Sequence, residues 1–486
     1  MSGSGERAPA AELGLLDATM IGMGAMIGAG IFVLTGLAAE IAGPAAILVF
    51  VLNGIVTAFT GLSYAELASA IPKSGGGYAF VREIFADLPS FIMGWMLWFA
   101  YMIAGALYAL GFAPNFLELL HVYGVTPAPG EVGAIALPLV PAIPANVALA
   151  LVAVALLVGL NAVSTAASGS AETIFTITKV TILLVFVAFG FLSVNGAGET
   201  TFTLQNFDPL FPDEKSPASI LPAMGLTFIA FEGYDLITTV TEEVENPREN
   251  IPKAIFFSLV ATVIVYMLVV VVAIGTLGAE GLAAAGEAGI AEAATSFMPT
   301  GLPIIQNGGA LIVFGAVFST LTALNAVVIA SSRVAFSMGR EGQLLKRFGT
   351  IHHRYGTPFF AILASAVVML ASVSLPTQSA GNMSSLFFLL SFIIVNGAVI
   401  KLRRERPDMN RPYEMPYYPV PAILGIVLNG VLTVVLVYYL VQTDPLALLL
   451  SVAWILVGVA AYYALRARRT TTEDATDTTI AQAGED

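Results

Sequence analysis

The chain has 486 residues, 57% of them hydrophobic and 11% charged, with a mean hydropathy of +0.86. Soluble domains carry about 25% charged residues, so lipid must be the main solvent of this chain. A formal charge of −13 argues against nucleic acid as a partner, and the absence of Cys excludes disulfides, thiolate nucleophiles and cysteine metal sites.

The three histidines, His121, His352 and His353, lie in polar connecting segments. That leaves little material for a metal centre or a catalytic triad, so no cofactor and no enzyme activity are expected.

A bilayer core about 30 Å thick needs about 20 apolar residues per helical span. Residues 1–12 carry no long apolar run and read as an N-terminal cytoplasmic tail rather than a cleaved signal. Apolar stretches then follow near 14–39, 44–70, 91–117, 145–163, 171–194 and 218–240. The pattern resumes near 254–277, 304–332, 357–375, 383–401, 419–441 and 445–465. Backbone groups left unpaired in hydrocarbon are so costly that these runs must be helices, and the ten-residue alternation of a barrel is absent. The spacing therefore predicts an all-α integral membrane protein of 12 transmembrane helices. Residues 468–486, acidic and Thr-rich, read as a disordered tail.

The basic residues test that count independently. With twelve spans and both termini cytoplasmic, 18 of the 20 Lys and Arg residues fall in inner segments. Lys215 alone lies outside, and Lys179 falls within a span. A missed or extra helix would scramble this asymmetry, which is that of the positive-inside rule.

The first span reads Ile21-Gly-Met-Gly-Ala-Met-Ile-Gly-Ala-Gly-Ile-Phe32. Gly24 and Gly28 are a small-xxx-small pair, suited to close packing against another helix. They also suit an unwound break at Ile27, Gly28, Ala29 and Gly30, whose freed N–H groups at a half-helix N-terminus would hold a carboxylate. The sixth span carries Glu232, Gly233 and Asp235 within an apolar run. A carboxylate at mid-bilayer costs at least roughly 2.5–3.5 kcal/mol, which marks a functional site. Asp235 could equally cap a helix end beside Glu242 and Glu243. Interruptions in spans one and six predict two five-helix repeats, the second inverted, with a binding site where the breaks meet.

Lys179 lies several residues inside span five. It could snorkel to the headgroups. Buried, it could exchange a proton, and charged it could fill the place of a bound Na⁺. Span eight, from Phe314 to Asn325, is rich in hydroxyls that could line a pathway or bond back to their own helix. Trp95, Trp98, Phe99, Tyr101 and Tyr108 of span three could line a cavity, an interfacial belt or a packed core.

Four segments taken in order resemble the amino acid–polyamine–organocation (APC) transporters. They are Gly24–Phe32, Tyr64-Ala-Glu-Leu67 followed by Pro72–Tyr78, Phe228–Asp235 followed by Glu242–Ala254, and Asn325–Gly342. The resemblance implies a ten-helix inverted-repeat core over residues 13–402, with discontinuous helices 1 and 6. Residues 403–467 would be a cytoplasmic loop and peripheral helices 11 and 12. It further implies that Ile27, Gly28, Ala29 and Gly30 receive an amino acid carboxylate, and that carbonyls around Phe228, Ala230 and Phe231 receive the amino group. Phe231 would stand near an occluding gate. Lys179 matches a lysine that similar proton-coupled members carry in place of a sodium site, with Asp235 a second candidate for proton coupling. Glu232 departs from the apolar residue common at its position, beside Gly233.

The expected activity is proton-coupled amino acid symport by alternating access in the plasma membrane. The alternatives are amino acid exchange on the same fold and, from another class, an amino acid-binding membrane receptor. The expected partners are an amino acid, H⁺ and the lipid bilayer, with the chain a monomer or homodimer.

Overall fold

The computed structural model describes residues 13–128, 131–137, 140–163, 169–193, 201–212, 215–299 and 307–483. The described chain is almost entirely helical, apart from one small hairpin. Its apolar runs form α1 (Leu15–Met26), α2 (Ala29–Ala42), α3 (Ala46–Ala70), α5 (Asp87–Val122), α6 (Ala145–Val163) and α7 (Gly169–Leu192). A short amphipathic helix, α4 (Gly76–Ile84), lies between α3 and α5. The hairpin pairs β1 (Ile135–Leu137) with β2 (Val140–Ile143) ahead of α6. The second half comprises α8 (Ile220–Thr227), α9 (Pro247–Ala285), α10 (Gly289–Phe297), α11 (Gly308–Arg340), α12 (Phe359–Ser372), α13 (Thr377–Glu405), α14 (Val420–Thr443) and α15 (Pro445–Ala483). The last of these continues as helix into the residues expected to form a disordered tail.

Ten segments among the described residues are long and apolar enough to cross a bilayer, against twelve predicted spans. Two differences account for the gap. Leu15–Ala70 forms one apolar stretch of 56 residues, but the break after Met26 and a 3-10 turn at Gly43–Ala45 divide it at the predicted places. α12 has only 14 residues, or about 21 Å at ~1.5 Å per residue, short of a ~30 Å core. Prolines set its limits, with Pro358 at its start and Pro376 at the start of α13.

α5 is the axis of the bundle, and its apolar window is wholly buried. It packs against α11, α13, α6 and α12, while α9 packs against α1, α2 and α3. α14 is largely exposed through Val427, Val431, Val434 and Tyr438, the face a lipid-bathed helix presents. α15 docks on α5 through aromatic stacking. The Trp454 ring lies 4.6 Å from Trp95 and 4.4 Å from Phe99, and the two indoles donate to each other's carbonyls at 3.0 and 3.3 Å. Trp98 donates to Ser365 of α12 at 2.8 Å. Of the three readings open for these span-three aromatics, packing is the one that holds for Trp95, Trp98 and Phe99.

The loops that carry most of the basic residues meet at one end of the bundle. Lys73 and Arg406 both pair with Glu83, at 2.8 and 3.2 Å, and Arg82 pairs with Glu341 at 3.3 Å. Arg333 pairs with Glu243 at 3.0 Å. Lys215 lies apart from all of these and donates to the Glu40 carbonyl at 2.5 Å.

Candidate functional site

Four glycines within nine residues weaken the first span, since each costs about 1 kcal/mol relative to Ala in a helix. α1 ends at Met26, Ile27 and Gly28 are non-helical, and α2 begins at Ala29. The break is therefore two residues long rather than four. Ala29 and Gly30 belong to the first turn of α2, whose N–H groups lack intrahelical partners and carry the positive end of its dipole.

The glycines also do the packing expected of them. A Cβ on Gly24 would meet Glu172 Oε1 of α7 at 2.7 Å, one on Gly28 would meet Ala323 of α11 at 2.7 Å, and one on Gly30 would meet the Ala230 Cα at 2.7 Å. Packing and interruption are thus properties of the same residues.

The sixth span is interrupted more extensively. α8 passes at Phe228 into a 3-10 turn, Phe228–Phe231, and Glu232 is extended. Gly233 has a φ of +129, a conformation that side-chain-bearing residues avoid. The span resumes as a 3-10 helix over Asp235–Glu243 instead of an α-helix. Thr238, Thr239 and Thr241 there each donate to the carbonyl three residues back, at 2.5, 2.7 and 2.9 Å. Such back-bonding by short polar side chains competes with the α-helical ladder. Asp235 caps the break: its carboxylate accepts the Gly233 N–H at 3.0 Å and the Tyr101 hydroxyl. Asp235 is thus a cap, though to the interruption at mid-span rather than to a helix end.

The two breaks touch. Gly30 lies against Ala230, and Gly233 lies so close to α1 that a Cβ there would stand 2.6 Å from the Met26 nitrogen. Tyr266 of α9 ties them together, its hydroxyl 2.6 Å from the Met26 carbonyl and 3.0 Å from that of Ala230. One hydroxyl proton serves two acceptors, so Tyr266 donates to one carbonyl at a time. Ser319 of α11 donates to the Ile27 carbonyl and lies 3.3 Å from that of Gly28. Asn53 of α3 and Ser385 of α13 reach the carbonyls of Met224 and Leu226, at 3.0 and 3.3 Å. The Phe231 ring packs 5.4 Å from Tyr266 and 6.0 Å from Phe50. Tyr108 stands beside Gly28.

Lys179, 1% exposed, does not snorkel. Its Nζ donates to the Gly24 carbonyl at 2.6 Å and to Thr322 of α11 at 2.9 Å. Gly24 belongs to the last turn of α1, so the ammonium sits at the negative end of that helix dipole. The hydroxyls of span eight divide between the two expected uses: Ser319 faces the break, Thr320 bonds back to Ala316 at 2.7 Å, and Thr322 does both, bonding back to Ser319 at 3.0 Å while accepting from Lys179.

Sequence reasoning missed Tyr266, Asn53 and Ser385. Each is one of several polar residues in its helix, and nothing in the local pattern sets it apart from the others. A small pocket of about 110 Å³ lies on the basic side of the site, lined by Ile21, Glu172, Thr239, Asn325 and Arg333 among others. Among the described residues no group of His, Asp and Glu could hold a metal ion.

A helical membrane bundle whose first and sixth spans break against each other, between the first turn of α2 and the Phe228–Phe231 turn, is built to pass a small solute. The profile of the amino acid permease family matches residues 13–460, and the chain belongs to that family, within the APC transporters. It is similar to the branched-chain amino acid permease BcaP of Bacillus subtilis, 29% identical over 95% of this chain and 94% of that one. It is also similar to the methylthioribose transporter of Bacillus subtilis, 27% identical over 93% of each chain. The human cystine/glutamate transporter is 30% identical over 92% of this chain and 84% of its own. The protein is a transporter, not an enzyme.

Proposed function

We propose that the protein is a proton-coupled amino acid symporter working by alternating access. The substrate carboxylate docks on the first-turn N–H groups of α2, next to Ile27 and Gly28. Its amino group takes carbonyls of the Phe228–Phe231 turn, displacing the Tyr266 hydroxyl from Ala230 towards Met26, and Phe231 closes over it. The twelve spans form a 5+5 inverted-repeat core over residues 13–402, with two further helices over 403–467. The protein sits in the plasma membrane with both termini and the basic loops on the cytoplasmic side, as the positive-inside rule requires.

The observation that carries this reading is the Lys179 ammonium on the Gly24 carbonyl at 2.6 Å. A fixed positive charge there supplies to the end of α1 what a sodium ion would supply. Lys179 and a Na⁺ would compete for one place, which favours protons as the coupling ion.

The test is uptake into proteoliposomes of a labelled pool containing branched-chain amino acids, cystine, glutamate and methylthioribose. An inward proton gradient is compared with a Na⁺ gradient. Accumulation under the proton gradient alone is expected. Accumulation only with Na⁺, or only with amino acid preloaded inside, would replace proton symport by sodium coupling or exchange. Binding without flux would turn the reading to a receptor.

A further inference from the structure

Buried polar atoms are normally paired, and the exceptions point to what a site handles. Two carboxyl groups stand three residues apart on the second break, and their surroundings differ. Asp235 is fully buried and accepts from the Gly233 N–H and the Tyr101 hydroxyl. Glu232 is 3% exposed, and neither of its carboxyl oxygens has a hydrogen-bond partner among the described residues. No Lys, Arg or His among the described residues forms an ion pair with it. The titratable groups near enough to act on it electrostatically are Asp235 and Tyr234 on its own segment, Tyr64 of α3, and Tyr101 and Tyr108 of α5. None of these is a cation. The hydroxyls of Tyr64 and Tyr234 are also unpartnered among the described residues, and their rings meet edge-on at 5.6 Å.

An ionised Glu232 in this place would lose its hydration with nothing to replace it, and would stand beside a second carboxylate. A proton removes both penalties. When two neighbouring carboxyls are partnered this unequally, the partnered one stays ionised and the other holds the proton. Glu232 is itself the extended residue of the break and precedes Gly233. Any rearrangement of the break therefore changes which water the carboxyl meets.

Resting on the symport reading above, we propose that Glu232 carries the co-transported proton. The carboxylate takes a proton from water on the side where the substrate enters, keeps it while occluded, and returns it to water on the other side. Asp235 stays ionised as the cap of the break, and Lys179 stays charged on Gly24.

The test joins two measurements on wild type, Glu232→Gln and Glu232→Asp. The first is proton uptake per substrate molecule, read with a pH dye trapped in proteoliposomes, a ratio that does not depend on residual rate. It is expected to fall at least tenfold in Glu232→Gln and to return in Glu232→Asp. The second is the pH-difference infrared spectrum of purified protein, in which a protonated-carboxyl band is expected in wild type and its loss in Glu232→Gln. The spectrum decides the matter even if Glu232→Gln does not transport. An unchanged proton ratio in Glu232→Gln, or no such band in wild type, would overturn the proposal. So would a band that disappears only when arginine or lysine is added, since Glu232 would then be a counter-ion for cationic substrates. If wild type itself moves no protons, the symport reading fails, and the infrared band still reports whether Glu232 is protonated.

Discussion

Lys179, Gly28 and Tyr266 each do something at the site that only their own chemistry allows. Lys179 gives two of its three protons to Gly24 and Thr322. Lys179→Ala would strand the Gly24 carbonyl, at a cost of about 1–3 kcal/mol for a buried acceptor without a partner. Uptake driven by a pH gradient should be abolished while the purified protein keeps its helical circular dichroism. Undiminished uptake would remove Lys179 from the mechanism. Gly28→Leu places side-chain atoms where Ala323 already stands 2.7 Å from the Cβ position, and overpacking of this kind costs about 1–3 kcal/mol. Its binding of labelled substrate should weaken at least tenfold, or about 1.4 kcal/mol. Tyr266→Phe keeps the ring and removes the hydroxyl that serves both breaks. A loss of about 1 kcal/mol in stability is expected from the hydrogen bond, read as a lower midpoint in thermal unfolding, together with weaker substrate binding.

At the scale of elements, the two interrupted spans were legible because glycine clusters and buried carboxylates are rare inside apolar runs. Their extents were not. The first break closes after Gly28 because Ala29 and Gly30 still satisfy helical geometry, even at a glycine. The second runs further because three back-bonding threonines hold Asp235–Glu243 in a 3-10 form. Gly233 is the point where this element tolerates least. Gly233→Ala combines a φ of +129 with a Cβ 2.6 Å from the Met26 nitrogen. Backbone strain of that sort costs about 1–3 kcal/mol before the collision is counted. Its midpoint of thermal unfolding should fall further than that of Tyr266→Phe, and an equal or smaller drop would mean that the break relaxes freely.

Across the whole molecule, ion pairs join loops that are distant in sequence into one basic face. Glu83 of α4 is held below its ordinary value of 4.5, chiefly by its hydrogen bond to Lys73 and also by Arg406. A carboxyl lowered in the folded state contributes stability above its unfolded pKa and loses it as pH falls through the folded value. Wild type should therefore exceed Glu83→Gln in thermal stability at neutral pH, by less than about 1 kcal/mol for so exposed a pair. The difference should vanish in acid below the unfolded value. Glu66 is the buried counterpart. It takes Arg403 in a bidentate pair at 2.6 and 2.7 Å and the Met415 N–H at 2.8 Å. Arg403→Ala should cost less than the ~3–5 kcal/mol of an isolated buried pair, because the Arg411 guanidinium, 3.8 Å from Glu66, and the Met415 N–H remain. Proteolysis of the 406–419 loop should report the loosening.

The sequence by itself determined the solvent, the helical class, the sharing of basic loops at one end and the two places where helices break. Those properties follow from composition and local spacing, which hydrocarbon enforces residue by residue. The tertiary structure alone decided that Tyr266 bridges the two breaks, that Lys179 meets Gly24, that Asp235 is partnered and that Glu232 is not. Those facts depend on which helices pack together, and a hydrogen bond joining residues 240 positions apart leaves no periodicity to read.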